Sequence, residues 1–240
     1  MPVDHPLDDP VWHALTSHHA GLAEVSGRAV RYAPDVSVFA AAESFDAAGW
    51  DDLAALAGPG GSVVVGRRDL PPPPPGWEVA MDLGGVQLVA TDLTGDVPAP
   101  AGLPVRRLGP DDVPAMTALV EVAQPGPFRR RTIEMGTYLG VHEDGRLVGM
   151  AGERVHPTGY TEVSAVCTHP DARGRGIGAY LTQAVAQGIE ARGEVAFLHA
   201  ADTNTGAIRL YERLGFTFRC APTFRRFVVP VDAPAATVSP

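Results

Sequence analysis

HPDARGRGIGAYL, residues 169–181, puts three glycines and two arginines between an apolar stretch and an amphipathic one. A glycine at the start of a helix costs about 1 kcal/mol relative to alanine. That cost calls for an offset, and a ligand that must approach the backbone closely supplies one. The preceding residues, 161–168, read as a strand. The following ones, from 178 to 192, read as a helix in which Leu181, Ala184, Val185, Gly188 and Ile189 share a face and Gly193 provides the stop. A glycine-rich turn between strand and helix leaves free backbone N–H groups at the positive end of a helix dipole, which suits an anion.

Two phosphate-binding patterns fit this turn. Gly174-Arg175-Gly176-Ile177-Gly178-Ala179 satisfies the dinucleotide pattern G-x-G-x-x-G/A, with Glu194 twenty residues after Gly174. Its surroundings argue against that reading. Residues 138–142 and 146–155 flank the hairpin turn Glu143-Asp144-Gly145, and 161–168 returns after a second turn at 156–159. The strand before the glycines thus belongs to an antiparallel meander, whereas a dinucleotide fold needs repeated parallel units.

The second pattern uses more of the chain. Arg173-x-x-Gly176-x-Gly178 is followed, after a strand at 195–200, by NTGAIRLYERLGF, which contains Asn204, Ala207, Tyr211, Gly215 and Phe216. On these two motifs and the meander before them, residues 104–229 resemble the GNAT superfamily of acyl-CoA-dependent N-acetyltransferases. The fold class expected is α/β with a mixed sheet: a GNAT-type domain over 104–232, preceded over 1–95 by a smaller α+β domain. The two-part layout is similar to the glycine N-acyltransferase-like branch, in which the first half is a degenerate copy of the fold.

The resemblance implies roles by position. Backbone N–H groups of Arg173, Gly174, Arg175, Gly176, Ile177, Gly178 and Ala179 would cradle the pyrophosphate of acetyl-CoA, with the Arg175 side chain on a phosphate. The pantetheine arm would enter a split between the strands 161–168 and 195–200 and pair with the backbone at Val166, Cys167 and Thr168. Asn204 would hydrogen-bond the pantetheine. Tyr211, two helical turns on, would protonate the leaving thiolate. Glu162, eleven residues before Arg173 as in the histone-acetyltransferase branch, would be the general base, directly or through water. The acceptor implied is a small-molecule or peptide amine, which must lose a proton before it attacks the thioester. Its site is expected around 124–131 and 153–162, with the first half of the chain as a further contributor.

The residues themselves add constraints. Strand alternation places Glu162 with Ser164, Val166 and Thr168, and Cys167 with Val163 and Ala165 on the other face, unless a bulge intervenes. A hairpin closed at 156–159 would set Glu153 opposite Glu162, and two facing carboxylates raise one pKa. Cys167 reads as a buried structural thiol rather than a nucleophile. His199, at the end of an apolar strand, reads first as core and second as an acceptor-side residue. His18 and His19 cannot share a helix face, and no metal site is assigned. Arg129, Arg130 and Arg131 read first as a solvated face and second as a carboxylate grip.

Composition narrows the field further. With 45% apolar and 20% charged residues, the 240-residue chain reads as a soluble globular protein. No apolar run reaches the ~20 residues of a membrane span, and the N-terminal residues do not follow signal-peptide order, so a cytoplasmic protein is expected. Two cysteines make neither a disulfide framework nor a zinc spacing. The net charge is −9, which disfavours nucleic acid as a partner. Residues 1–103 carry 4 Arg against 14 Asp and Glu, and 104–240 carry 15 against 14, so the second half is the one able to hold an anion. All 19 basic residues are arginine, which removes a lysine Schiff base and a Walker-type loop. Residues 91–104 read as a linker, 71–75 as a stiff proline loop, and 77–81 with 86–90 as a hairpin. Rival functions are a longer-chain or amino-acid N-acyltransferase, and a non-catalytic acyl-CoA sensor. The sequence leaves the oligomeric state open.

Overall fold

The computed structural model describes residues 5–232 apart from Thr94 and Asp96. The first half contains α1 (Pro10–Leu15), β1 (Ala23–Ser26), β2 (Ala29–Tyr32), β3 (Ala40–Ala42), α2 (Ala47–Ala57), β4 (Ser62–Arg67) and β5 (Glu78–Ala90). The second half contains β6 (Val105–Arg107), α3 (Val113–Ala123), β7 (Tyr138–Glu143), β8 (Arg146–Glu153), β9 (Tyr160–Thr168), α4 (Ile177–Glu190), β10 (Val195–Ala201), α5 (Thr205–Arg213), β11 (Phe216–Cys220) and β12 (Thr223–Val228). Strands β1 to β3 form a small antiparallel sheet. The main sheet runs β4-β12-β5-β10-β9-β8-β7-β6, with β11 pairing against β5.

That order departs from the expectation for residues 77–90. They form one continuous strand, not a hairpin, and it lies between β10 and β12. Gly84 and Gly85 look like a turn in sequence, but their smallness serves packing instead. A Cβ added to Gly84 would stand 2.2 Å from Asp202 Oδ2, and one on Gly85 would stand 2.8 Å from the Phe224 ring. The two halves therefore share one sheet across the connection 91–104. Helical structure is short at two places. Residues 11–22 give α1 and a separate 3-10 turn at Ala20–Leu22, and 129–135 gives only the 3-10 turn Thr132–Met135.

Strand β9 carries the irregularity that shapes the site. Ala165 has φ +53°, and the register against β8 shifts from Gly152↔Ser164 to Met150↔Cys167. One extra residue on β9 makes a bulge, so strand alternation breaks there. Val163 packs with Leu181 and Val185 of α4, whereas Cys167 packs with Met116 and Leu119 of α3. In a regular strand those two residues would share a face. The expected pairing of Glu162 with Val166 and Thr168 on one face fails for the same reason. Val166 and Thr168 turn toward the start of α4, where a Cβ on Gly178 would lie 3.7 Å from Thr168 Oγ1 and 4.0 Å from Val166 Cγ1.

The parallel pairing of β9 with β10 covers Tyr160 to Glu162 against Val195 to Phe197 and goes no further. Beyond it the strands part, as expected. On one side α4 closes the sheet through Ile177, Leu181, Val185, Ala186 and Ile189. Each large apolar side chain buried there contributes about 1.5–3 kcal/mol. On the other side α1 and the small sheet bury Leu7, Val11, Leu15, Tyr32 and Phe39 with Val155 and Phe197.

Candidate active site

The glycine turn has the conformation its sequence calls for. Gly174 and Gly176 both have φ +77°, a left-handed region that costs other residues about 1–2 kcal/mol. Gly176 is the N-cap of α4. Among the described residues, the backbone N–H groups of Gly174 through Ala179 donate to no protein acceptor, and Tyr180 N, bonded to Gly176 O at 3.0 Å, is the first to be satisfied. Several convergent donors at a helix N-terminus form an anion cradle. The Arg175 guanidinium lies 2.9 and 3.1 Å from the Glu143 carboxylate oxygens, so a phosphate would have to draw it from that partner.

Beside the cradle, a cavity of about 910 Å³ opens in the split between β9 and β10. Its walls include Arg173, Gly178, Val166, Cys167 and Thr168 at one end, with Asn204 and Tyr211 from α5. From the first half come Val38, Phe39, Val64, Met81 and Leu83, and the loop after α3 adds Gln124 to Pro127. The structure thus brings most of the sequence-derived site residues to one space. Ile177 is buried under the sheet and serves as core, and Ala179 packs against the same core.

Asn204 caps α5, with Oδ1 accepting from Ala207 N at 3.2 Å, which leaves its amide N–H groups for a ligand. Tyr211 is 8% exposed and lies on the cavity wall. Burial first, then the neighbouring Cys167 thiol, pushes its hydroxyl up to about 12. Its hydroxyl is protonated at neutral pH, not a phenolate. Burial likewise pushes the Cys167 thiol up to about 12, against the Met150 N–H, so this residue is a poor nucleophile.

Glu162 sits at the fork of the two strands and is completely buried. The expected pair with Glu153 does not form. Glu153 stands opposite Val163 in the register, takes Thr137 N at 3.0 Å and pairs with Arg192 at 2.9 Å. Glu162 instead receives both Nη2 (2.6 Å) and Nε (2.8 Å) of Arg154, and His199 Nδ1 at 2.7 Å. Burial alone would raise its pKa, but Arg154 and then His199 outweigh burial and hold it at about 2. Such a sealed carboxylate stays ionised. It therefore accepts from His199 Nδ1–H, which leaves Nε2 as the accepting nitrogen. Gln87 confirms this tautomer: its Nε2 lies 3.0 Å from His199 Nε2 and also donates to Leu7 O, while its Oε1 accepts from Arg219.

Arg154 and Gln87 escaped the sequence reading because each acquires its role only through strand register. His199 reads from sequence as core first and as an acceptor-side residue second, and its bond to Glu162 depends on how β9 and β10 pair. Of the three consecutive arginines, Arg130 and Arg131 pair with Asp35, and Arg131 also with Glu134, so these two behave as surface charges. His169 accepts from Asp171 N at 3.3 Å within its turn. No helix among the described residues is long and apolar enough to cross a membrane.

Residues 138–225 match the family model described as FR47-like protein. Mycothiol acetyltransferase of Thermomonospora curvata is 43% identical over 75 residues, which is 31% of this chain and 25% of that protein. The mycothiol acetyltransferase of Mycolicibacterium gilvum is 36% identical over 104 residues, 40% of this chain and 34% of that one. These two matches thus span a quarter and a third of the relatives' own length. A GCN5-related N-acetyltransferase from Kribbella flavida shares the fold, with TM-score 0.60 and 22% identity over 92% of this chain and 95% of that one. A crystal structure described as an acetyltransferase from the GNAT family, from Novosphingobium aromaticivorans, is 40% identical, with TM-score 0.85 over 93% of this chain and 98% of that one. With that similarity along almost the whole length of both chains, the glycine cradle and the split strands fall into place: the chain belongs to the GNAT family of acetyltransferases.

Proposed function

We propose that this protein transfers an acetyl group from acetyl-CoA to a primary amine by direct attack. The observation that carries the reading is the single cavity that joins Arg173, Gly178, Asn204 and Tyr211 to an apolar wall from the first half. The pyrophosphate would rest on the N–H groups of Gly174 to Ala179, and the pantetheine would pass Asn204 and the backbone of Val166 to Thr168. Backbone N–H groups near Cys167, at the bulge of β9, would polarise the thioester carbonyl. Tyr211 would give its proton to the departing thiolate.

The proton from the ammonium would go to His199 Nε2 on the cavity wall, with the amine displacing the Gln87 N–H that holds that nitrogen at 3.0 Å. In this scheme Glu162 is a positioning residue rather than the base: its bond to Nδ1–H fixes the tautomer and stabilises the imidazolium that forms. The acceptor side is lined by Phe39, Val64, Met81, Leu83 and Phe224, with Arg226 beside them. This suits an amine with an apolar body and an anionic or polar group. The mycothiol acetyltransferase relatives make mycothiol-related amines the first acceptors to try.

The test is thiol release from acetyl-CoA over a panel of amines, amino acids and mycothiol-related amines. Turnover on one acceptor class, slowed at least tenfold in His199→Gln, supports the scheme. Tight acetyl-CoA binding with no turnover on the whole panel would favour the non-catalytic sensor. Faster turnover with longer acyl-CoA donors would favour the longer-chain enzyme.

A further inference from the structure

At the opposite end of β9 and β10 from the cavity, three potential metal ligands from three separate segments converge. His18 follows α1, His156 lies in the turn between β8 and β9, and Glu194 lies between α4 and β10. Their ligand atoms all lie within 4.8 Å of one another. The rings of His18 and His156 lie with centroids 4.3 Å apart and planes tilted by 40°, and His156 Nε2 is 2.7 Å from Glu194 Oε1. We propose that His18, His156 and Glu194 bind one divalent transition-metal ion of the zinc class, which staples the first half of the chain to the catalytic half.

Three observations support a metal over a plain hydrogen-bonded cluster. First, the donor set is two imidazoles and one carboxylate, a combination that suits zinc and its neighbours and leaves a fourth position for water. Zinc bonds of about 2.0–2.2 Å need ligand atoms some 3.3 Å apart, so spacings that now lie within 4.8 Å must close by about 1.5 Å at most and the 2.7 Å His156–Glu194 contact must open. Second, the surroundings orient the ligands. Thr161 Oγ1 donates to Glu194 Oε2 at 2.8 Å, and Arg192 lies 3.3 Å from the same oxygen, so Oε1 is the oxygen turned to the histidines. Outer hydrogen bonds of this kind fix ligand orientation in metal sites. Third, His19 cannot be the ligand in place of His18. Its two ring nitrogens are taken by Tyr32 Oη at 2.8 Å and Met135 O at 3.1 Å. Among the described residues, no hydrogen bond to the His18 ring is present, and the ring lies beside that of His156 with the planes tilted by 40°. The adjacent pair divides its work: His19 anchors the segment and His18 presents a ligand.

None of the three lines the acetyl-transfer cavity, so this inference stands apart from the proposed reaction. The test uses the full chain without a histidine tag, stripped with a chelator. Zinc chloride is titrated calorimetrically, cobalt(II) is followed by its visible absorption, and Tm is read with and without zinc. The expected result is one ion per chain, cobalt bands of tetrahedral intensity, and a Tm rise of about 5 °C or more at a hundredfold excess over Kd. His18→Ala should lose at least tenfold in zinc affinity while keeping the metal-free Tm, because His18 is exposed. Glu194→Gln should also bind more weakly. Absence of a zinc-dependent Tm shift, or equal zinc binding by His18→Ala, would overturn the proposal. Neither result bears on acetyl-CoA binding.

Discussion

Tyr211→Phe separates chemistry from packing at this site. The hydroxyl lies on the wall of the cavity, and no hydrogen bond to it is present among the described residues. Phenylalanine keeps the ring, its contact with Phe216 at 6.2 Å and the buried area, so stability should change by less than about 0.5 kcal/mol. Transition-state stabilisation should change far more. A general acid contributes roughly 10²–10⁴ in rate, and each factor of ten is about 1.4 kcal/mol of barrier. With its hydroxyl pushed up to about 12, Tyr211 stays protonated across the working range, so wild-type kcat should show no basic limb from this group below about pH 11. The assay is thiol release at saturating acetyl-CoA, with a single-turnover measurement so that product release does not mask the chemical step. We expect kcat to fall at least a hundredfold, with Tm and acetyl-CoA affinity unchanged. A single-turnover rate within threefold of wild type would refute the acid role of Tyr211.

Glu162→Gln leaves the buried Arg154 without its carboxylate. It should cost about 3–5 kcal/mol in chemical denaturation, and a loss below 1 kcal/mol would contradict the buried pair described here. Gly178→Leu projects a side chain toward Thr168 and Val166 in the cavity without a backbone penalty. It should weaken acetyl-CoA binding at least tenfold by calorimetry while the melting curve holds. Asp9 is 3% exposed, and burial, against Arg67 and the Trp12 N–H, raises it from 3.8 to about 6. Between those values the folded state holds more protons than the unfolded one, so this group's contribution to stability falls as pH rises through that window. Asparagine keeps the helix cap, and Asp9→Asn should gain about 2 kcal/mol on wild type between pH 4 and pH 7 in urea melts. A pH-independent difference would refute the raised value.

What could be read from sequence was local in origin. The glycine turn, the α4 face, the Asn204 cap and Tyr211 two turns later all rest on spacings within one helix and its approach, and these spacings survive any tertiary arrangement. What could not be read depends on partners distant in sequence. Strand β5 joins the main sheet across more than a hundred residues to β10, and its Gly84-Gly85 pair imitates a turn. The bulge at Ala165 reverses the faces of β9 with no sequence marker, because alanine is not a residue that advertises positive φ. The fate of Glu162 followed from register. One residue's difference in pairing with β8 gives it Arg154 in place of Glu153, and with His199 from β10 its pKa is lowered where a facing carboxylate would have raised it. His18 and His156 lie in different halves of the chain, so their meeting could not be foreseen from either motif.

The central claim is that acetyl-CoA occupies the cradle at Gly174 to Ala179 and the split between β9 and β10. Calorimetric titration of the full chain with acetyl-CoA, and with NAD as the competing phosphate ligand, tests it most directly. One acetyl-CoA per chain should bind at micromolar or tighter Kd, with no NAD binding. Failure of acetyl-CoA to bind, or preference for NAD, would contradict it.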